Sequence, residues 1–496
     1  MIVRCGNTHR MRRLLPLLLT VCLVAGLPAA QEKSSESLYT PKGTRTELGL
    51  AAYAKILCSA VFVSGRDATE ATRNSAYWFM PRDEADKVTW TVSQQSKLVR
   101  ATLPAAGSSE AVSREARFYG DQGCVIQQPG KAGVAFTPVA VKTSLPDAAT
   151  QPWPMGDRAD TTTAPAGIDA AKLKAATDAA FADPAALTAG FLVVHKGRIV
   201  AERYMDGITK DTQLESWSMG KSITATLFAL LVKDGTYTIE QPAPVDLWHQ
   251  VAGDPRAKIR NVDLLRMSSG LKFLAEQDPD YSPDKGYPDH WYIYTGAVNV
   301  FDYTISQPVQ FAPNTEGRYR NSDPLTLGYL VKQAVQKRGE EYLTWPQRAL
   351  FDKIGIRRQV LETDPYGNFI LTGYDYGTPR NWARLGMLYL QDGMWQGTRL
   401  LPEGWSKFVS TLAPAWKRPV YGAQFWINGD GTWNLPRASY FAAGAGGQNT
   451  FIIPSHQLVI VRMGHMRGSQ TARRHTNTAL QLVMESVDPG WKPPAR

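Results

Sequence analysis

"ESWSMGKSITATLFALLVKDG", residues 215–235, opens with a serine and a lysine three apart, Ser218 and Lys221, and continues as an apolar run that stops at Gly235. The run reads as a helix, and what stands around it sets the fold class. Before it, "GFLVVHKGRIVAERYM" (190–205) alternates apolar and polar residues on both sides of Lys196-Gly197, the pattern of a β-hairpin. Near the far end, "YGAQFWING" (421–429), "NTFIIP" (449–454) and "QLVIVRMGH" (457–465) are strand-like again. Strands contributed from both ends of a domain, with helices between them, predict an α/β (α+β) sandwich carrying a helical insert.

The 496 residues, 43% of them apolar, suffice for one large and one smaller core. At the start, Arg4, Arg10, Arg12 and Arg13 precede "LLPLLLTVCLVAGL" and the small residues of "PAAQ", which reads as a signal peptide over 1–30 cleaved near Ala30. Its removal takes the formal charge from +10 to about +6 and leaves no apolar stretch of membrane-spanning length. An exported, periplasmic or secreted protein without stable membrane insertion is expected. Cations occur in scattered pairs such as Arg357-Arg358 and Arg473-Arg474, not in a stripe with interleaved aromatics, so nucleic acid is not an expected partner.

Residues 31–150 form a candidate amino-terminal α+β lobe, with a helical "ELGLAAYAKILCSAVFV" (47–63) and strand-like "KVTWTVSQQ" (87–95) and "KLVRATL" (97–103). Cys5 and Cys22 leave with the signal, and Cys58 and Cys124 remain as an even pair in an exported chain. Export favours a disulfide, contributing roughly 4 kcal/mol on the chain-entropy model, over one buried and one incidental thiol. A Pro, Thr and Asp-rich passage around 151–166 is the expected linker to a catalytic domain over 167–490.

Ser-x-x-Lys occurs three times, at Ser218/Lys221, Ser269/Lys272 and Ser282/Lys285, and only the first opens a helical run. There the two side chains share a face, beside unpaired N–H groups and the positive end of the helix dipole. A lysine desolvated against an apolar helix loses its preference for the ammonium form and can serve as a base for the hydroxyl beside it. The competing reading has Ser218 capping the helix and Lys221 reaching to water. Downstream, "EGRYRNSDPLTLGYLV" (316–331) supplies Tyr319-x-Asn321 before another amphipathic helix. A tyrosine can relay a proton to a leaving group if a neighbouring cation lowers its pKa, and an asparagine amide can hold the lysine and a substrate carbonyl. Tyr366/Asn368 repeats the spacing within a turn-like "DPYGNF". In "YFAAGAGGQNTFIIP" (440–454) the small residues Ala442 to Gly447 run into a strand, and backbone without side chains can approach a substrate closely enough for its N–H groups to bind an oxyanion.

In this order the three elements resemble the serine β-lactamase and penicillin-recognising family, closest to its class C-like branch of D-alanyl-D-alanine peptidases, esterases and 6-aminohexanoate-dimer hydrolases. The resemblance runs from about 185 to 470 and includes "VVHKGRIVAERY", "MSSGL", "RNWARLGMLYLQDGMWQGTRLLPEGW" and "GAGGQNTFIIPSHQLVIV". It implies an antiparallel sheet flanked by helices and an acyl-enzyme mechanism: Ser218 as nucleophile, Lys221 as base, Tyr319 as proton relay, and Asn321 positioning substrate and lysine. It also implies an oxyanion hole from the N–H of Ser218 and one within Gly444, Ala445 and Gly446, with Ala445 favoured. One departure is that Ala442-Ala443-Gly444 stands where the family usually has Lys-Thr-Gly or His-Thr-Gly. The absent cation weakens the β-lactamase and D-alanyl-D-alanine carboxypeptidase alternatives and leaves ester and aminohexanoate-type amide hydrolysis favoured.

Ser216-Trp217-Ser218-Met219-Gly220 also approaches the Gly-x-Ser-x-Gly elbow of α/β-hydrolases, which needs an acid and then a histidine downstream; His456, His465 and His475 stand in no such loop. The expected substrate is a small-molecule or short-peptide amide or ester, with no metal and no cofactor, since the seven histidines show no metal-ligand spacing. A binding or sensor module that kept the fold without catalysis is the alternative from another class. The aromatic stretch containing Tyr281, Tyr287, Trp291, Tyr292 and Tyr294 suits either a substrate mouth or packing.

Overall fold

The computed structural model describes residues 40–107, 110–159 and 167–495. The expected signal peptide, with Cys5 and Cys22, and part of the expected linker lie outside the described residues. Residues from Leu38 onward form one compact unit.

The lobe is built on helix α1 (Arg45–Phe62), started by a capping box in which the Thr44 and Glu47 side chains each serve the other's backbone N–H. Everything from Leu48 to Ala60 is buried, including Lys55, so the helix has no solvent face and is enclosed by tertiary contacts. One side meets the antiparallel sheet β1 (Thr89–Ser93), β2 (Leu98–Leu103), β3 (Val112–Phe118), β4 (Cys124–Ile126). The Cys58–Cys124 disulfide ties α1 to β4. Beside it, Lys55 pairs with Glu362 of the larger part, whose carboxylate also accepts from Ser59 Oγ at 2.8 Å and from the Cys124 N–H at 2.7 Å. A second buried pair, Arg66 with Glu215 at 3.2 Å, joins the lobe to the residues just before the Ser218 turn.

Residues 144–158 run across the larger part under many hydrogen bonds. Trp153 Nε1 donates to Gly197 O at 2.9 Å, Arg384 Nε to Pro154 O at 2.7 Å, and Arg357 to Met155 O at 2.7 Å. The passage is held by hydrogen bonds of its carbonyls and of the Trp153 indole and not by a periodic apolar face.

The larger part begins with α2 (Ala170–Ala180) and the hairpin β5 (Thr188–His195) and β6 (Arg198–Tyr204). Lys196 and Gly197 both take positive φ, 47° and 80°, as a two-residue turn matched to strand twist requires. Helices α3 (Gly220–Lys233), α4 (Ser322–Lys337) and α5 (Pro379–Leu390) follow, then strands β7 (Trp426–Ile427), β8 (Tyr440–Gly444), β9 (Gln448–Ile453) and β10 (Leu458–Gly464), and finally α6 (Ser469–Val487). The six strands form an antiparallel sheet in the order β7-β8-β9-β10-β5-β6. Alternation sends Phe191 and Val193 towards α2 and α6, and Leu192 and Val194 towards α3 and α5. The strand expected over 421–429 contracts to Trp426–Ile427. Gly422 explains part of this: a Cβ there would lie 1.9 Å from Val409 O, so the chain is pressed into a corner and not extended.

A small sheet of Leu214–Glu215, Asp375–Gly377 and Val360–Leu361 anchors the insert between α3 and α5. Ser216 N donates to Asp375 O at 2.9 Å, which fixes where the Ser218 turn begins.

Candidate active site

From Gln213 to Ala229 every residue is buried except Ser218, which is half-buried. The turn that presents it is conformationally costly. Trp217 has φ 50°, in the left-handed region where a bulky residue is strained. It is held by a cage of aromatic rings, with Trp78 edge-on at 4.4 Å, Tyr374 at 5.7 Å and Tyr294 at 6.2 Å. Gly220 opens α3 where a Cβ would meet Asp375 Oδ1 and Leu371 O at 2.5 Å, so only glycine lets the helix start there.

Lys221, on the first turn of α3, points back along the helix to Ser218, with Nζ 2.9 Å from Ser218 Oγ and 3.0 Å from Thr372 O. It is 1% exposed. Burial holds its pKa well below the ordinary lysine value, opposed by Asp375. Burial also raises the Asp375 pKa well above the carboxylate range, so Asp375 gives Lys221 little counter-charge. The neutral amine can donate one hydrogen to Thr372 O and accept the Ser218 proton with its lone pair. The capping-and-snorkelling alternative therefore does not describe Lys221.

Tyr319 lies with its ring 4.9 Å from Lys221 Nζ and packs, tilted by 37°, at 5.0 Å from Trp426. The expectation that a cation would lower its pKa is corrected: burial pushes the phenol up, against smaller opposing effects of Ser218 and Trp426. The cause is the burial of the phenol itself. Asn321 also differs from expectation. Its amide N–H goes to His290 O at 2.8 Å and Thr372 O holds the lysine in its place. Asn321 Oδ1 is buried without a hydrogen bond, although Tyr294 is near, because the Tyr294 hydroxyl donates to Thr372 O at 2.6 Å.

Gly444 ends β8 against the nucleophile turn: a Cβ on it would lie 2.2 Å from Ser216 O and 3.1 Å from Ser218 N. That close approach sets the Ser218 N–H beside the turn Ala445–Gly447, in which Gly446 has φ 82°. Arg462, fully buried on β10, donates to Gly446 O and to Ala186 O, each at 2.7 Å, and supports this turn from behind. On the other side a cavity of about 380 Å³ is lined by Gly444, Asn449, Trp426 and Trp433, with Arg418 and Arg473 at its rim. Arg462 thus contacts the segment directly, while Arg473 and Arg418, the latter paired with Asp430 at 2.8 Å, line the cavity beside it.

The other Ser-x-x-Lys pairs make no comparable contact. Ser269 Oγ donates to Asp323 at 2.7 Å, and Lys285 lies on the surface with Asp280. The second Tyr-x-Asn places Asn368 against Asp364 and Asn299. Because the sheet is antiparallel, the parallel-sheet elbow has no place here. Sequence reading missed Thr372, Trp217, Asp375 and Arg462. A carbonyl acceptor leaves no residue-type signal, and the other three act through neighbours distant in the chain. Among the described residues no group of three His, Cys, Asp or Glu side chains is placed to hold a metal ion, and no helix is long and apolar enough to cross a membrane.

Comparison with known proteins identifies the family. The family model described as Beta-lactamase matches residues 173–485. The 6-aminohexanoate-dimer hydrolase of Paenarthrobacter ureafaciens is 22% identical over 306 residues, covering 58% of this chain and 75% of that protein. A solved Bacillus anthracis protein, provisionally named a 6-aminohexanoate-dimer hydrolase, superposes with a TM-score of 0.50 at 18% identity, covering 61% of this chain and 80% of its own. A penicillin-binding protein homologue from Caulobacter crescentus gives a TM-score of 0.49 at 16% identity, covering 65% and 99%. With the family model matching more than half of the chain, this protein belongs to the beta-lactamase family and is a serine hydrolase of the kind found there.

Proposed function

We propose that the protein is an exported serine hydrolase that cleaves a small amide or ester through an acyl-enzyme on Ser218. The observation that carries this reading is the 2.9 Å contact between Ser218 Oγ and a buried Lys221 Nζ whose ammonium form is disfavoured. Ser218 Oγ attacks the carbonyl carbon while its proton passes to Lys221. The oxyanion is received by the N–H groups of Ser218 and Ala445, a contribution worth about 10²–10³ in rate per donor in comparable sites. Collapse breaks the bond to the leaving nitrogen or oxygen, which takes the proton from Lys221 through the Tyr319 hydroxyl. Water then repeats the attack on the acyl-enzyme, and Ser218 is restored. Tyr319 acts throughout as a neutral phenol, exchanging one proton for another, which its raised pKa suits.

The 380 Å³ cavity beside Gly444 supports a substrate with an apolar body and a polar end near Arg418 and Arg473. The similarity to 6-aminohexanoate-dimer hydrolase favours a linear amide among amide substrates. The disulfide of the lobe favours export. A panel of a p-nitrophenyl ester, a linear 6-aminohexanoate dimer, a cephalosporin and a D-alanyl-D-alanine peptide tests the reading. Turnover of the ester and the linear amide with poor cephalosporin hydrolysis is expected, and efficient cephalosporin hydrolysis refutes it.

A further inference from the structure

Between the lobe and the start of α6 runs a groove of about 940 Å³ that the mechanism above does not use. Its walls carry the half-buried aromatic rings of Tyr77, Trp78 and Trp90, and three exposed arginines, Arg73 and Arg82 from the lobe and Arg467 from the segment before α6. None of the three forms an ion pair among the described residues, and Asp86 is the single acid lining the groove there. Burial raises the Tyr77 phenol pKa, and Arg467 and Arg82 both oppose that effect. Both cations line the groove, one from the lobe and one from the segment before α6.

Two residues of the groove wall pack against the turns that build the reacting centre. Trp78 packs edge-on against Trp217, the residue before the nucleophile. Met466 stands behind the oxyanion turn, its Cα 3.5 Å from where a Cβ of Gly446 would be. The lobe residues that line it lie outside the 173–485 family match, so the groove is an addition to the family's core.

We propose that this groove is a subsite for the remote end of the substrate, and that this end is an apolar chain terminating in a carboxylate. The aromatic floor takes the apolar spacer, and the guanidinium groups of Arg82 and Arg467 take the carboxylate in paired, charge-assisted hydrogen bonds. The assignment rests on the serine-hydrolase reading of Ser218, and the test has one arm that does not depend on it.

In the binding arm, full-length Ser218→Ala protein is titrated with dodecanedioate and, as a charge control, 1,12-diaminododecane, followed by tryptophan fluorescence and calorimetry. The diacid is expected to bind and the diamine not, with Kd for the diacid at least about tenfold higher when Arg82→Ala and Arg467→Ala are added. Equal Kd with and without the two arginines overturns the site. In the kinetic arm, the mono-p-nitrophenyl ester of dodecanedioic acid is compared with p-nitrophenyl butyrate. The ratio of kcat/KM for the anionic over the neutral ester is expected to fall about tenfold in the arginine variant, through KM, and to be largely restored by Arg82→Lys with Arg467→Lys. An unchanged ratio, with diacid binding intact, overturns the substrate assignment. If Ser218 is not the nucleophile, ester hydrolysis persists in Ser218→Ala while the binding arm is unaffected, so the two failures are distinguishable.

Discussion

Two lysines of this protein, Lys55 and Lys221, are each 1% exposed, and their surroundings differ in one respect. Lys55 in the lobe meets the carboxylate of Glu362, donates to Ser59 Oγ at 3.0 Å and lies 3.9 Å over the Tyr374 ring. Lys221 has a serine hydroxyl and a backbone carbonyl, with no carboxylate in hydrogen-bond reach. A buried ammonium with a counter-ion fastens two parts of a structure together. A buried amine without one is poised to take a proton. The difference teaches that burial alone does not mark a base; burial without a charged partner, beside a hydroxyl, does.

Replacing each lysine by methionine breaks the comparison most sharply. Lys221→Met is expected to lower kcat/KM for a p-nitrophenyl ester by about 10⁴-fold, the upper range for a general base. It should also raise thermal stability, by about 1 kcal/mol, as removal of a destabilising active-site group commonly does. Lys55→Met should do the opposite, destabilising the fold by about 3–5 kcal/mol in denaturant melts by leaving Glu362 buried and unpaired. The protein that remains folded should keep its activity. If Lys55→Met instead abolished turnover without loss of stability, the division of roles would be wrong.

Smaller effects sharpen the same contrast. Replacing Cys58 and Cys124 by alanine removes the link beside the Lys55–Glu362 pair, which closes a loop with a sequence separation of 66. A loss of up to about 4 kcal/mol follows on the chain-entropy model, read from chemical unfolding. The pH dependence carries a definite sign. The folded protein disfavours the ammonium at 221, whereas the unfolded chain holds that proton up to the ordinary lysine pKa. Unfolding therefore takes up a proton in the window between the two, and stability rises with pH across it. The stability advantage of Lys221→Met should shrink as pH climbs through that window. Wild-type kcat/KM should fall on the acid side as Lys221 is protonated, a limb measured in a pH–rate profile.

What could be read in advance follows from distance along the chain. Ser218 and Lys221 were legible because three residues on a helix share a face, and the hairpin because Lys196-Gly197 forms a two-residue turn between alternating segments. Gly444 was legible as part of a run of small residues. The Lys55–Glu362 pair was not, since its members are 307 positions apart and each alone resembles a surface charge. Thr372 contributes only its carbonyl oxygen, which any residue has. The direction of the Tyr319 shift is not legible because it depends on burial of the phenol, which only the fold specifies. Trp217 reads as an apolar residue, and its strain is visible only once Trp78 and Tyr374 are seen holding it.

The claim that Ser218 is the nucleophile activated by Lys221 is tested most directly by mass spectrometry of the intact protein after incubation with a fluorophosphonate, followed by peptide mapping. A single adduct on Ser218, absent from Ser218→Ala and formed far more slowly in Lys221→Met, is the predicted result. An adduct elsewhere, or no adduct while Ser218→Ala hydrolyses a p-nitrophenyl ester as fast as wild type, would contradict it.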